Sequence, residues 1–142
     1  MTTATLPDWS ALQPGDALPP LELAPISRLD LALYCGASGD HNPIHVDIDF
    51  AKSAGMPDVF AHGMLSAAWL ARLLSNWVPQ TAIRSLDVRF AALTQVGERI
   101  RCTGTVGEKF EHEGRRSVRL KIATANADGG IKLSGEALVA WP

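Results

Sequence analysis

The stretch that decides the fold runs from Met64 to Val78 and reads MLSAAWLARLLSNWV. Apolar side chains such as Leu65, Trp69 and Leu73 cover nearly every side of the helix that this stretch predicts, and its scattered polar residues leave no broad face for water. The stretch is also too short, and interrupted by Arg72, to span a bilayer. We therefore expect a central helix that other elements of the same chain must wrap.

The wrapping elements follow directly, as short segments in which apolar and polar residues alternate. Such alternation predicts antiparallel strands with one buried face. The apolar sets are Leu86, Val88 and Phe90; Ile100, Cys102 and Val106; Val118, Leu120 and Ile122; and Ile131, Leu133, Ala137 and Val139. Turns are expected at Gly97, at Glu113-Gly114 and at 128–130, because glycine tolerates the backbone angles that tight turns require.

Three shorter elements are expected before the central helix. The range 15–23 predicts an edge strand, and Ser27 is a suitable N-cap for a helix that extends to Tyr34. Either Asp47 or Asp49 can cap a further short helix. Together with the strands, these elements predict an α+β protein in which a curved antiparallel sheet wraps one long apolar helix.

Length and composition indicate a single globular domain over residues 1–142. Hydrophobic residues make up 46% of the chain, which is enough for a substantial core. The net charge of -2 and the pI of about 6.0 disfavour nucleic acid or an anionic membrane as a partner. No export signal is visible in residues 1–9. Cys35 and Cys102 lack the spacing of a disulfide or zinc pair, so they predict reduced core thiols and a cytoplasmic location.

The range 38–47, SGDHNPIHVD, places two acid–base groups, Asp40 and His45, on either side of Pro43. Because Pro43 excludes a regular helix, the range predicts a shaped loop that turns a carboxylate and an imidazole toward one point. Such a pair suits proton transfer on a small substrate. The alternative is an Asx turn that carries a surface histidine. His41 and His45 are four residues apart, but without a helix or a third ligand they do not predict a metal site.

These motifs carry a resemblance to a known family. Tyr34, the range 38–47, Ala51 and the range 62–64, His-Gly-Met, match the hydratase-2 signature in order and spacing. The chain thus resembles the MaoC-like, (R)-specific enoyl-CoA hydratase and 3-hydroxyacyl dehydratase family. The resemblance implies a single hot-dog domain that adds water to trans-2-enoyl thioesters to form (R)-3-hydroxyacyl thioesters, or that removes it in the reverse direction.

The same resemblance implies roles for individual residues. Asp40 and His45 are the implied catalytic pair, and which of them makes each proton transfer stays open. The backbone N–H of Gly63 is the implied donor to the thioester oxygen, because unpaired amides and the helix dipole favour an oxyanion there. Further candidates for substrate contacts are Asn42, His62, Met64 and Ser66. For His62 and Ser66, a packing role is the alternative.

Coenzyme A or acyl carrier protein is expected only as the thioester part of the substrate, and no other cofactor or metal is implied. Candidates for binding its phosphates are Arg84, Arg89, Arg115 and Arg116, although charged strand faces and hairpin tips are usually just solvated. Candidates to close the acyl slot, and so to favour short or medium chains, are Met64, Leu65 and Trp69.

The expected assembly follows from the open edge that a single hot-dog sheet leaves, so we expect a homodimer or a heteromer of hot-dog subunits. Two other functions share this fold. A hot-dog thioesterase would place a carboxylate against the thioester carbonyl or its attacking water, and the intact 38–47 motif disfavours it. A non-catalytic, acyl-thioester-binding subunit of a heteromeric dehydratase would have no need of both Asp40 and His45.

Overall fold

The computed structural model describes residues 4–142, except for the side chain of His112. The helices are α1 (Arg28–Ser38), α2 (Ile48–Ser53) and α3 (Gly63–Trp77). The strands are β1 (Leu21–Glu22), β2 (Ile83–Phe90), β3 (Ile100–His112), β4 (Arg115–Asn126) and β5 (Ile131–Ala140). Two single-turn 3-10 helices lie at Pro43–His45 and Gln80–Ala82.

The strands form one antiparallel sheet in the order β1-β3-β4-β5-β2. The alternating segments predicted its four long strands, because side chains on a pleated strand point to opposite faces in turn. The edge strand expected over 15–23 is shorter than predicted: Leu21–Glu22 pairs with β3, and one bridge joins Ala17 to Thr105. Pro19-Pro20 interrupts the pairing, since proline has no N–H for the ladder.

Helix α1 begins at the predicted cap. The Ser27 hydroxyl accepts from the Asp30 backbone N–H, and the Asp30 carboxylate accepts from the Ser27 backbone N–H. The helix does not end at Tyr34, as the sequence predicted, but continues to Ser38. It stops at Gly39, whose φ of 76° is left-handed and rarely adopted by other residues. The loop that carries the acid–base pair therefore starts directly at the end of α1.

Helix α2 begins at Asp47, one of the two predicted caps. Its carboxylate accepts from the backbone N–H groups of Asp49 and Phe50 at 3.0 and 3.1 Å. This cap ties the end of the acid–base loop to α2, so both ends of the loop are anchored on helices.

Helix α3 lies against the sheet and forms the centre of the core, as predicted. Leu70, Leu73 and Leu74 are at most 1% exposed, and burying a side chain of this size stabilises the fold by about 2 kcal/mol. The helix is nevertheless not fully wrapped within this chain. Met64 is 62% exposed. Together with Ala68 and Arg72 it forms an exposed stripe along one side of the helix.

Two side chains predicted to face the core are half-exposed instead. Phe90 is 53% exposed and Ile131 is 46% exposed. Both lie at strand ends on the same side of the molecule, where β2 finishes and β5 starts, with Phe90 paired to Leu133. The alternating apolar residues predicted these strands correctly, but the core does not extend to the ends of β2 and β5.

A partly buried ion pair holds the loop between β2 and β3, and nothing in the alternation of apolar residues predicted it. The Lys132 ammonium lies 2.8 Å from the Glu98 carboxylate and donates to the Leu93 carbonyl oxygen at 2.9 Å. Burial would raise the pKa of Glu98, but hydrogen bonds from Lys132, Asn126 and the Gln95 N–H outweigh it and lower that pKa. This network ties the 91–98 loop to β4 and β5.

Cys35 and Cys102 are unpaired and buried, as predicted. Burial raises the pKa of the Cys102 thiol to about 12, which makes it an inert core group. Across residues 4–142, no helix combines the length and the apolar character that a membrane span requires.

Candidate active site

The loop between α1 and α2 is held by its own polar side chains. The Asn42 side-chain oxygen accepts from the Ile44 N–H at 3.1 Å and caps the 3-10 turn that Pro43 opens. The Asn42 N–H in turn donates to the Asp40 carboxylate at 3.2 Å. Asn42 therefore holds the loop together through hydrogen bonds at both its backbone and its side chain. Its predicted contact with substrate stays a prediction.

His45 is aimed by a backbone carbonyl from outside its own loop. It is 9% exposed, and its Nδ1 lies 2.7 Å from the Phe60 carbonyl oxygen. Since a carbonyl can only accept, Nδ1 carries the proton and donates. The neutral ring then keeps its lone pair on Nε2, which is the atom that a base needs.

His62 lies directly against His45. The two rings stack with centroids 3.9 Å apart, and Tyr34 packs edge-on to His62 at 4.9 Å. The His62 Nε2 lies 3.2 Å from the Asp40 carbonyl oxygen, whereas its Nδ1 has no hydrogen-bond partner among the described residues. Burial, reinforced by repulsion from His45 when that ring is protonated, lowers the pKa of His62, so the neutral His62 ring is favoured.

This lowered pKa predicts a dependence of stability on pH. Below the ordinary histidine value of 6.5, the unfolded chain binds a proton that native His62 resists, so the native state loses stability as pH falls. We expect the free energy of unfolding to drop more between about pH 7.5 and about pH 5.5 for the wild type than for His62→Phe. Urea titrations at both pH values measure the difference. An equal or steeper drop in the variant would contradict the assignment, and His41→Gln is the exposed control.

The acid–base pair and His62 form one cluster, because their nearest ligand atoms all lie within 4.8 Å of one another. Two imidazoles and a carboxylate are a common metal-binding set. The stacked geometry does not suit such a role, since nearly parallel rings direct their in-plane lone pairs past each other and do not converge on an ion about 2.1 Å from both. The stacking of the two rings therefore disfavours a metal site, and the role of the cluster in proton transfer stays a prediction.

The N-terminus of α3 opens beside this cluster. Gly63 is the first residue of the helix, and no side chain caps its free N–H groups. Gly63 also lies under the Phe90 ring: a Cβ there would be 3.0 Å from Phe90 Cε1. Glycine thus lets the Phe90 ring pack directly against the first turn of α3. The donor role of the Gly63 N–H stays a prediction.

A pocket of about 390 Å³ adjoins Gly63. Its walls are Phe60, Ala61, Gly63, Ser66, Phe90, Ala91, Ala92, Leu93, Thr94 and Leu133. Ser66 lines this pocket, and its predicted contact with substrate stays a prediction. Met64 does not line this pocket, and its predicted contact with substrate stays a prediction.

The predicted acyl-slot residues Leu65 and Trp69 lie on a different side of α3. They line a separate groove of about 380 Å³ together with Tyr34 and Leu33 of α1. The four candidate arginines are also divided. Arg89 adjoins Phe90 at the pocket end of β2, whereas Arg84, Arg115 and Arg116 lie toward the opposite end of the sheet.

Three participants were not found from the sequence. The Phe60 carbonyl positions His45, the Phe90 ring covers Gly63, and Thr94 lines the pocket. Phe60 and Thr94 belong to no sequence motif, because it is the tertiary fold that brings each of them to the site. Phe90 had a weak signal, as a large aromatic residue directly before the irregular 91–99 segment.

Fold and site together define a hot-dog protein with an acid–base cluster at the start of its central helix. The family model described as MaoC like domain matches residues 12–127. The chain belongs to this MaoC-like family, as its motifs predicted.

Named proteins are similar to this chain. The (R)-specific enoyl-CoA hydratase of Rhodospirillum rubrum is 30% identical over 119 residues, which cover 82% of this chain and 81% of that protein. Fatty acid synthase subunit beta of Saccharomyces cerevisiae is 34% identical over 112 residues, or 77% of this chain, and the match spans 5% of that much longer protein. The solved structure of R-hydratase PhaJ1 from Pseudomonas aeruginosa has a TM-score of 0.81 and 27% identity, covering 94% of this chain and 84% of that one.

Proposed function

We propose that this protein catalyses the (R)-specific hydration of trans-2-enoyl thioesters of coenzyme A or acyl carrier protein, or the reverse dehydration. The observation that carries the proposal is the cluster of Asp40 and His45 beside the free N–H of Gly63. The similar proteins support it, since those matched over most of their length are named as hydratases or dehydratases of such thioesters. The reaction as proposed needs no cofactor beyond the thioester carrier.

The chemistry requires a base for water, an acid for the α carbon and a donor for the thioester oxygen. In the proposed reaction, His45 Nε2 removes a proton from a water that Asp40 also holds. The water oxygen bonds to the β carbon, and the electron pair of the double bond moves onto the thioester oxygen as an enolate. The N–H of Gly63 stabilises that enolate until the pair of Asp40 and His45 returns the proton taken from water to the α carbon on the same face.

The hydrogen bond from His45 Nδ1 to the Phe60 carbonyl oxygen supports this division of roles. It places the proton of the neutral ring on Nδ1, so that Nε2 can accept a proton, and it steadies the imidazolium after proton transfer. Asp40 is exposed, so its carboxylate is open to the water and to the substrate.

Hydration of crotonyl-CoA tests the proposal. We expect the enoyl absorbance to fall without release of free thiol, and the product to be the (R)-3-hydroxy thioester. Thiol release without loss of the double bond would instead assign a thioesterase. If the protein by itself catalysed neither reaction, a non-catalytic subunit would be favoured. Chiral analysis that finds the (S) alcohol would overturn the stereochemical part.

We also propose an assembly of two hot-dog subunits. Strand β2 pairs only with β5 and so leaves one edge free. The exposed stripe of Met64, Ala68 and Arg72 leaves α3 incompletely covered. A second subunit of the same fold would cover such surfaces, whether it is a copy of this chain or a companion. The cytoplasmic location that the reduced cysteines indicate likewise stays a prediction.

A further inference from the structure

The pocket beside Gly63 is apolar except at two points. None of its lining residues in the described chain is charged, and most are alanine, leucine or phenylalanine. The exceptions are the hydroxyls of Ser66 and Thr94, which belong to α3 and to the loop after β2. Such a pocket suits an acyl chain that leads away from the thioester.

Both hydroxyl-bearing residues are deeply buried and yet unpaired. Ser66 is 2% exposed and Thr94 is 3% exposed. Among residues 4–142, neither hydroxyl makes a hydrogen bond to the protein. This is unusual for Ser66, because a helical serine commonly bonds the carbonyl oxygen four residues earlier. Neither hydroxyl oxygen is among the fully buried unpaired atoms of the described chain, where His62 Nδ1 is the single case, so both oxygens are reached from the pocket and can pair with a ligand that enters it. A ligand that displaces water from the pocket without offering them a partner leaves them unpaired.

The walls that carry these hydroxyls are firmly held. The Ala61 N–H donates to the Thr94 carbonyl oxygen at 2.9 Å, and Phe60 bridges to Gln95. On the other side, Lys132 holds the Leu93 carbonyl oxygen from within the partly buried ion pair with Glu98. The backbone of Thr94 is therefore held at the wall of the pocket.

We infer that the acyl group of the substrate carries a neutral oxygen, a hydroxyl or a ketone, beyond the reacting double bond, and that Ser66 and Thr94 bind it. The inference rests on the proposed function. A hydroxyl or ketone oxygen satisfies both side chains, whereas a plain alkyl chain leaves both unpaired in an apolar site. A carboxylate is disfavoured, because the described lining offers no positive charge to balance it.

The test compares thioesters of equal length. The substrates are trans-2-hexenoyl-CoA with its 5-hydroxy and 5-oxo derivatives, and trans-2-octenoyl-CoA with its 7-hydroxy and 7-oxo derivatives. We expect kcat/KM for at least one oxygenated substrate to exceed that of its alkyl counterpart by about ten-fold or more. This ratio should fall toward one in Ser66→Ala and in Thr94→Val, and it should recover in Thr94→Ser, which keeps the hydroxyl.

Ser75→Ala is the matched control, since Ser75 lies on the same helix but is exposed and donates to the Arg72 carbonyl oxygen. Its ratio should equal that of the wild type. Two outcomes would overturn this inference: a wild-type ratio of one or less at both chain lengths, or a ratio that is unchanged in both Ser66→Ala and Thr94→Val. If crotonyl-CoA is still hydrated, the proposed function stands and only this inference fails. Failure to hydrate every substrate overturns the proposed function and this inference together.

Discussion

Replacing Asp40 with Asn, or His45 with Gln, is expected to lower kcat for hydration of crotonyl-CoA by a factor of about a hundred or more. Each variant removes a group that is proposed to transfer protons, while keeping its approximate shape. The fold should be retained, because Asp40 is exposed and its hydrogen bond from the Asn42 N–H can be kept by the amide oxygen. Steady-state kinetics give the loss, and circular dichroism gives the fold.

The matched control is His41→Gln, a neighbouring exposed histidine in the same loop. Its activity should stay close to that of the wild type. The double variant of Asp40 and His45 should lose little more than either single variant, since both groups are proposed to act on one water. Activity within ten-fold of the wild type in both single variants would remove the pair from the mechanism.

Replacing Gly135 with Ala is expected to destabilise the protein by about 3 kcal/mol or more. Gly135 lies in β5 opposite Val88 of β2, and a Cβ there would overlap the carbonyl oxygen of Asp87. This neighbour is backbone and cannot rotate away, so β2 must separate from β5 or shift its register. The free energy of unfolding from denaturant titration, at a fixed protein concentration, measures the loss.

Gly36→Ala is the control for this substitution. Gly36 lies within α1, and a Cβ there would meet no atom within 4 Å. Alanine should therefore leave stability unchanged or raise it by up to about 1 kcal/mol, because it is the better helix former. If Gly135→Ala were as stable as Gly36→Ala, the close approach of β2 to β5 would not be a constraint of the fold.

Local features of the sequence determined the elements of this protein and the loop that carries the acid–base pair. Ser27 and Asp47 cap helices through their own side chains, and alternation of apolar residues defines β2 to β5. Asp40 and His45 meet because Asn42 and Pro43 shape the few residues between them. These effects act over a few positions, so a sequence pattern is enough to predict them.

Tertiary structure alone decided how that loop is completed. His45 is oriented by the carbonyl of Phe60, and the Phe90 ring comes to lie over Gly63. The pairing of Lys132 with Glu98 and the contact of Gly135 with Asp87 likewise join separate elements. Each contact depends on strand register and on how α3 lies against the sheet. These are set by packing of the whole core, and no local spacing of residues encodes them.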